Sequence, residues 1–112
     1  KSYMEVEDCV NGILHVMEST NDPLNLFSLG SHDTASVRRI AEIVVEETGC
    51  HNASIEYTGG DRGWAGDIPR AMLGIDKMMS TGYDVRLNSE DAIRHTAQAL
   101  IQEIGFNKEM KK

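Results

Sequence analysis

The chain is poor in several residue types, and each shortage excludes a class of protein. Only two of its 112 residues are cysteine, and Cys9 and Cys50 follow no disulfide or metal-ligand spacing. We therefore expect free thiols in a reducing compartment, not a disulfide-stapled secreted domain. No apolar run approaches the length of a membrane span. These shortages indicate a soluble cytoplasmic protein with no membrane partner.

Basic residues are also scarce. Eleven Lys and Arg oppose 18 Asp and Glu, which gives a formal net charge of −7 and a pI near 4.9. Such a charge repels nucleic acid and anionic membrane surfaces, so neither is an expected partner. An anionic small molecule stays possible, because one arginine in a shielded cleft can outweigh a screened surface field. Aromatic residues make up only 5% of the chain, so aliphatic side chains and methionine must fill the core of one small domain.

The usual catalytic and cofactor motifs are missing from this sequence. It contains no phosphate-binding GxxxxGK[ST], no nucleophile elbow, and no GxGxxG between a strand and a helix. The four histidines are scattered, with no pair at metal-ligand spacing. They are His15, His32, His51 and His95. We therefore assign no catalytic, cofactor-binding or metal-binding residue, and the chain on its own does not look like an enzyme.

Apolar spacing predicts three amphipathic helices with short strands between them. The helices are expected over 6–17, from Thr34 or Ser36 to Gly49, and from Asn88 to Gly105, with a short helical turn within 71–79. Their predicted buried stripes are Val6, Val10, Ile13, Leu14 and Met17; Val37, Ile40, Ala41, Val44 and Val45; and Ile93, Ala97, Leu100, Ile101 and Ile104. Strands are predicted at 3–6, 24–29 and 53–57.

This pattern predicts a small α/β domain, α+β-like as an isolated piece, that covers residues 1–106 and is followed by a polar tail at 107–112. Three short strands are few for a free-standing sheet, and burial is limited at this size. We therefore expect exposed apolar surface that would face a neighbour. The chain also begins without methionine and reads as a piece of something longer.

A glycine-rich loop at 59–69 is the most unusual segment. Four glycines, two aspartates, one arginine and the only tryptophan lie within it, and a proline closes it. Glycine weakens helices and strands, so an ordered loop is expected. Arg62 could grip a planar anion with its two-pronged fork, and Asp67 could hold that arginine or a sugar hydroxyl. The alternative is a structural surface turn in which Trp64 covers the core.

Several segments, in order along the chain, resemble those of one enzyme family. They are 1–8 (basic-x-aromatic to Asp), 24–30 (the Asn-x-Gly strand), 36–41, 62–69 (Arg to Gly-Asp-Ile-Pro), 75–83 and 89–93. The chain thereby resembles the extended short-chain dehydrogenase/reductases, specifically the NAD-dependent nucleotide-sugar epimerases and dehydratases that include the UDP-glucose 4-epimerases. The ordered set of segments points to this family more specifically than any single segment does.

The resemblance implies an N-terminal Rossmann domain that binds NAD and a smaller C-terminal domain that binds a UDP- or dTDP-sugar. This chain resembles the C-terminal portion only, and the family's catalytic Tyr-x-x-x-Lys is absent from it. The resemblance therefore implies C4 epimerisation by transient hydride transfer in a longer parent, with a homodimer as its candidate assembly, and inactivity of this piece alone.

Four residues are assigned to the substrate site by the same resemblance. Lys1, Tyr3, Arg62 and Asp67 match the family positions that line the nucleotide diphosphate and ribose. Lys1 stands where arginine is common, which replaces a two-pronged grip with a point charge. Two alternatives stay open: a dehydratase or reductase on the same scaffold, and a stand-alone binding module without chemistry.

Overall fold

Four helices make up the regular structure of residues 1–105. A computed structural model describes residues 1–105, so the predicted polar tail at 107–112 lies outside the described residues. The helices are α1 (Val6–Ser19), α2 (Val37–Thr48), α3 (Asp76–Ser80) and α4 (Ser89–Glu103). The three amphipathic helices and the short helical turn therefore form where the sequence predicts them.

The predicted helix ends have the expected capping geometry. The Ser36 side chain accepts a hydrogen bond from the backbone N–H of Arg39 at 3.1 Å, and Gly49 ends α2 with a left-handed φ of 67°. Asn88 accepts from the N–H of Asp91 at 2.8 Å and so begins α4. These caps satisfy backbone groups that a helix end otherwise leaves unpaired, and they confirm the local part of the prediction.

The predicted strands do not form. Residues 1–105 contain no strand, so the described part is helical, not α/β, and no Rossmann domain is seen in it. A strand requires a hydrogen-bonded partner strand. The segment 53–57 is exposed along its whole length and has no such partner strand among residues 1–105. Lys1 and Ala35 exchange two backbone hydrogen bonds of 3.2 and 2.8 Å, and Ser2 donates to the Ala71 carbonyl at 3.1 Å. Those bonds resemble the pairing in a sheet, but there are too few of them to form a β-ladder.

The core is small and lies mainly where α2 packs against α4. Ile43 is fully buried on α2 although it lies outside the predicted stripe, and Ala92 on α4 is nearly so. Val37 and Val44 from that stripe are exposed instead. Arg39 and Arg94 join the two helices through a network of ion pairs. Their partners are Glu42, Glu46, Glu47 and Glu90, at N–O distances from 2.5 to 3.8 Å.

Helix α1 has the opposite orientation from the one its sequence suggests. All five residues of its predicted buried stripe are between 48% and 70% exposed. The face that packs inward instead carries Asp8 and Gly12, both buried. The prediction of exposed apolar surface is confirmed, whereas the burial of this stripe within the chain is wrong, because nothing among the described residues covers it. The radius of gyration is 17.3 Å, against about 13 Å for a compact domain of roughly this length.

Candidate functional site

A buried polar cluster holds the first three residues in place. The Tyr3 N–H donates to Ser89 Oγ at 3.0 Å, and the Ser31 N–H donates to Ser2 Oγ at 3.3 Å. Asp33 Oδ1 accepts from Ser31 Oγ at 2.7 Å and from the Ser89 N–H at 2.8 Å. The Ser31 hydroxyl, followed by the Ser89 N–H, lowers the pKa of Asp33 against the opposing effect of burial. The backbone that precedes α1 is thus fixed to the N-terminus of α4.

A second anchor joins α1 to the segment before α4. Asp8 is fully buried, and it accepts hydrogen bonds from Arg86 Nε at 2.7 Å, from the Arg86 N–H at 3.1 Å and from the Leu87 N–H at 3.2 Å. Burial would raise the pKa of Asp8, but these donors outweigh it and the pKa is lowered. The Tyr83 hydroxyl donates to the Asp8 carbonyl. Asp8 is therefore an ionised structural anchor.

Two of the four predicted site residues meet directly. Lys1 Nζ forms an ion pair with Asp67 Oδ1, and Asp67 Oδ2 accepts from the Gly63 N–H at 3.2 Å. The Lys1 ammonium, and then the Gly63 N–H, lower the pKa of Asp67, so its carboxylate is charged at neutral pH. The side chains of Lys1 and Asp67 are only 35% and 19% exposed. A partly shielded ion pair therefore joins the start of the chain to the glycine loop.

The other two predicted residues are not in this pair. Arg62 is exposed, and its Nη1 lies 3.4 Å from the Ala65 carbonyl, so the suggestion that Asp67 holds Arg62 is wrong in this structure. Asp67 instead pairs with Lys1, because the loop folds its carboxylate towards residue 1. Tyr3 is positioned through its backbone bonds to Ser89. Arg62 forms no ion pair within residues 1–105, which leaves its guanidinium available for an anion.

Sequence reasoning missed Arg70 and misplaced Trp64. Arg70 lines an open groove of about 310 Å³ together with Lys1, Thr34, Ala71 and Met72. Its position directly after Pro69, the proline that closes the glycine-rich loop, was the sequence signal that could have identified Arg70. Trp64 is 70% exposed, so the prediction that it covers the core is wrong. Its ring lies against Gly66, since the loop turns back on itself instead of onto the helices.

Neither a cluster of metal-ligating side chains nor a membrane-spanning helix is found in the described part of the chain. Within residues 1–105 no three His, Cys, Asp or Glu side chains converge as metal ligands would. Both cysteines are free thiols. Among the described helices, none combines the length and the apolar character needed to cross a bilayer.

Comparison with known proteins gives an informative structural similarity. No family model matches the chain, and no curated protein matches it. Among solved structures, the chain is similar to the crystal structure of a UDP-galactose 4-epimerase, with a TM-score of 0.75 and 30% sequence identity. The match covers 93% of this chain but only 34% of the epimerase chain. The chain thus has the fold of an epimerase fragment and spans about a third of that enzyme's length.

Proposed function

We propose that the chain is the nucleotide-sugar-binding part of an NAD-dependent sugar epimerase of the UDP-glucose 4-epimerase type. The similarity to the UDP-galactose 4-epimerase carries this proposal, because it spans nearly the whole chain at 30% identity. The structure adds a partly shielded Lys1–Asp67 pair beside an arginine without a carboxylate partner in residues 1–105. An exposed guanidinium without a carboxylate partner can donate two hydrogen bonds to an anionic ligand.

The roles of the site residues follow from their chemistry. The Arg62 guanidinium donates two parallel hydrogen bonds to a phosphate, and the Lys1 ammonium supplies a second positive charge. The Asp67 carboxylate only accepts hydrogen bonds, so it faces the hydroxyl groups of ribose and stays away from phosphate oxygens. Together they hold the nucleotide and so position the sugar. Positioning of this kind contributes to rate without contact with the reacting bond.

NAD does not fit the described residues. Residues 1–105 contain no glycine-rich turn from a strand into a helix, which is the feature that receives a dinucleotide pyrophosphate. We assign NAD and the catalytic residues to the rest of the parent, meaning the longer polypeptide of which this chain would be part. The exposed stripe of α1 is the surface that the parent's Rossmann domain would cover.

The proposal is tested by replacing Arg62 in the longest polypeptide that the gene encodes. Arg62→Ala should weaken binding of UDP-galactose about ten- to a hundredfold, because a charge-assisted hydrogen bond contributes roughly 1.5–3 kcal/mol. Arg62→Lys should recover only part of this, since it keeps the charge and loses the fork. Isothermal titration calorimetry measures both affinities.

Arg38→Ala is the matched control, because Arg38 lies on α2 and its guanidinium stacks on Tyr57, 4.5 Å from the ring centroid. It should leave the affinity unchanged. A well-folded Arg62→Ala protein with wild-type affinity would remove Arg62 from the site. Product analysis with UDP- and dTDP-sugars then separates the reaction types: a 4-epimer supports the proposal, and a dehydrated or reduced sugar contradicts it.

A further inference from the structure

The indole of Trp64 packs against Gly66 and is otherwise largely exposed. A Cβ atom added at Gly66 would overlap ring carbons Cζ3 and Cη2 and lie 3.1 Å from Cε3. The ring therefore occupies space beside Gly66 that any larger residue would fill with its Cβ atom. The residue is nevertheless 70% exposed. An apolar ring of this size, seated in this way and still open to solvent, is suited to receive another flat group.

Backbone hydrogen bonds place Trp64 in the same turn as the proposed anion site. The Asp67 N–H donates to the Trp64 carbonyl at 3.0 Å, so both residues belong to one turn. The Asp67 side chain accepts from the Gly63 N–H and pairs with Lys1. Arg62 contacts the Ala65 carbonyl in the same turn. The indole is thus fixed by its backbone within one turn of the charges that would hold a diphosphate.

We propose that Trp64 stacks on the nucleobase of the bound nucleotide, an inference that rests on the proposed function. A nucleotide diphosphate carries one flat aromatic ring, separated from its phosphates by a single ribose. With the phosphates at Arg62 and Lys1 and the ribose at Asp67, the base is the part of the ligand that lies beyond Asp67. The seat on Gly66 orders the indole before binding, which reduces the entropy lost when the ligand arrives.

The chain contains a single tryptophan, so its fluorescence reports on this ring alone. We would titrate the 112-residue chain with UDP, UMP, inorganic pyrophosphate and free galactose. UDP and UMP should quench the emission of Trp64, because a stacked base contacts the indole directly. Pyrophosphate should compete with UDP for the site without quenching, and galactose should do neither. Quenching of Trp64 when pyrophosphate is the only ligand added would show loop movement instead of stacking and would overturn the proposal.

Substitutions separate stacking from a structural role. Trp64→Ala should weaken UDP binding about tenfold and leave the affinity for pyrophosphate unchanged, because base stacking is lost and the charges remain. Trp64→Phe should retain most of the UDP affinity. Gly66→Ala should push the indole from its seat and also weaken UDP binding, but it should have no further effect when added to Trp64→Ala.

Gly74→Ala is the matched control, since an added Cβ there would meet nothing within 4 Å. It should change neither fluorescence nor affinity. Wild-type UDP affinity in Trp64→Ala would overturn the stacking proposal and leave the proposed function standing. Absence of UDP and pyrophosphate binding, both by the folded 112-residue chain and by the longest polypeptide that the gene encodes, would overturn the proposed function, and the stacking with it.

Discussion

At the scale of single residues, a buried charge anchors α1 to the rest of the chain. Asp8 is fully buried, whereas its partner Arg86 keeps half of its side chain exposed. The carboxylate also satisfies the backbone N–H groups of Arg86 and Leu87. Loss of the charge would leave those donors with a poorer acceptor in a site that water does not reach.

We expect Asp8→Asn to lower the free energy of unfolding by about 1–3 kcal/mol, because one buried donor then faces the amide NH₂ group. Urea denaturation followed by circular dichroism measures this. Glu18→Gln is the control, because Glu18 is exposed on the same helix and should change stability little. An equal loss in both variants would mean that the helix responds to its net charge and not to this anchor.

The pH dependence of stability has a defined direction. Asp8 and Asp33 both have pKa values lowered from the ordinary 3.8. Below that value the unfolded chain binds more protons than the folded one, so stability rises with pH in this range. The contribution of both groups is complete above about pH 4 and is lost as the pH falls through their lowered values.

Urea midpoints measured from pH 6 to pH 2 should therefore fall most steeply below pH 4. The slope should be smaller in Asp8→Asn, which has no carboxyl to protonate at that position. The same slope in both proteins would assign the acid sensitivity to other carboxylates.

At the scale of elements, α1 is an amphipathic helix with its apolar side outward. Its exposed residues include Ile13 and Met17, at 50% and 70%. Replacing both with lysine should reduce self-association of the chain and leave the melting temperature nearly unchanged, because neither side chain is buried. Analytical ultracentrifugation and thermal denaturation give the two readouts.

Ile43→Ala provides the contrast on α2, because Ile43 is fully buried. It should lower the free energy of unfolding by about 2–5 kcal/mol. If the two lysines on α1 destabilised the chain as much as Ile43→Ala does, the outer face of α1 would be part of the chain's own core.

The elements also show how far sequence reasoning reaches. Helix ends were predictable because Ser36, Gly49 and Asn88 act through local hydrogen bonds. The strands were not, because a strand exists only with a partner that a single segment cannot specify. Likewise the helical periodicity of α1 identified its apolar stripe, but it did not identify which side of the helix packs against the rest of the chain.

The candidate site shows the same division between local and long-range information. The glycine composition of the loop and the pairing of Lys1 with Asp67 are compatible with the sequence-based site. The exposure of Trp64 depends on how Gly66 lets the loop turn, and the place of Arg70 depends on backbone bonds between Ser2 and Ala71. Sequence separation and residue type do not specify how the loop turns or where Arg70 lies.

At the scale of the molecule, the chain is open and has a small core, as the radius of gyration of 17.3 Å indicates. We expect the isolated 112-residue chain to self-associate or to unfold at low denaturant, since nothing among residues 1–105 covers its apolar surface. Sedimentation velocity over a range of concentrations tests this. A compact monomer with a high melting temperature would contradict it.

We also expect no binding of NAD by the isolated chain, because the described residues hold no dinucleotide-binding turn. Calorimetric titration with NAD is the measurement, and UDP serves as the positive control under the same conditions. Micromolar NAD affinity would overturn the assignment of NAD to the rest of the parent.

The anchor between Asp8 and Arg86 has a consequence for synthesis on the ribosome. Its partners are 78 positions apart, and the bond from Tyr3 to Ser89 spans 86. Helix α1 is therefore synthesised before residues 83–89, which fasten it. At about 5–20 residues per second, roughly 4–16 seconds pass before this anchor can form. In the proposed parent the N-terminal domain is already synthesised by then, and it is the surface that could cover the apolar stripe of the nascent helix.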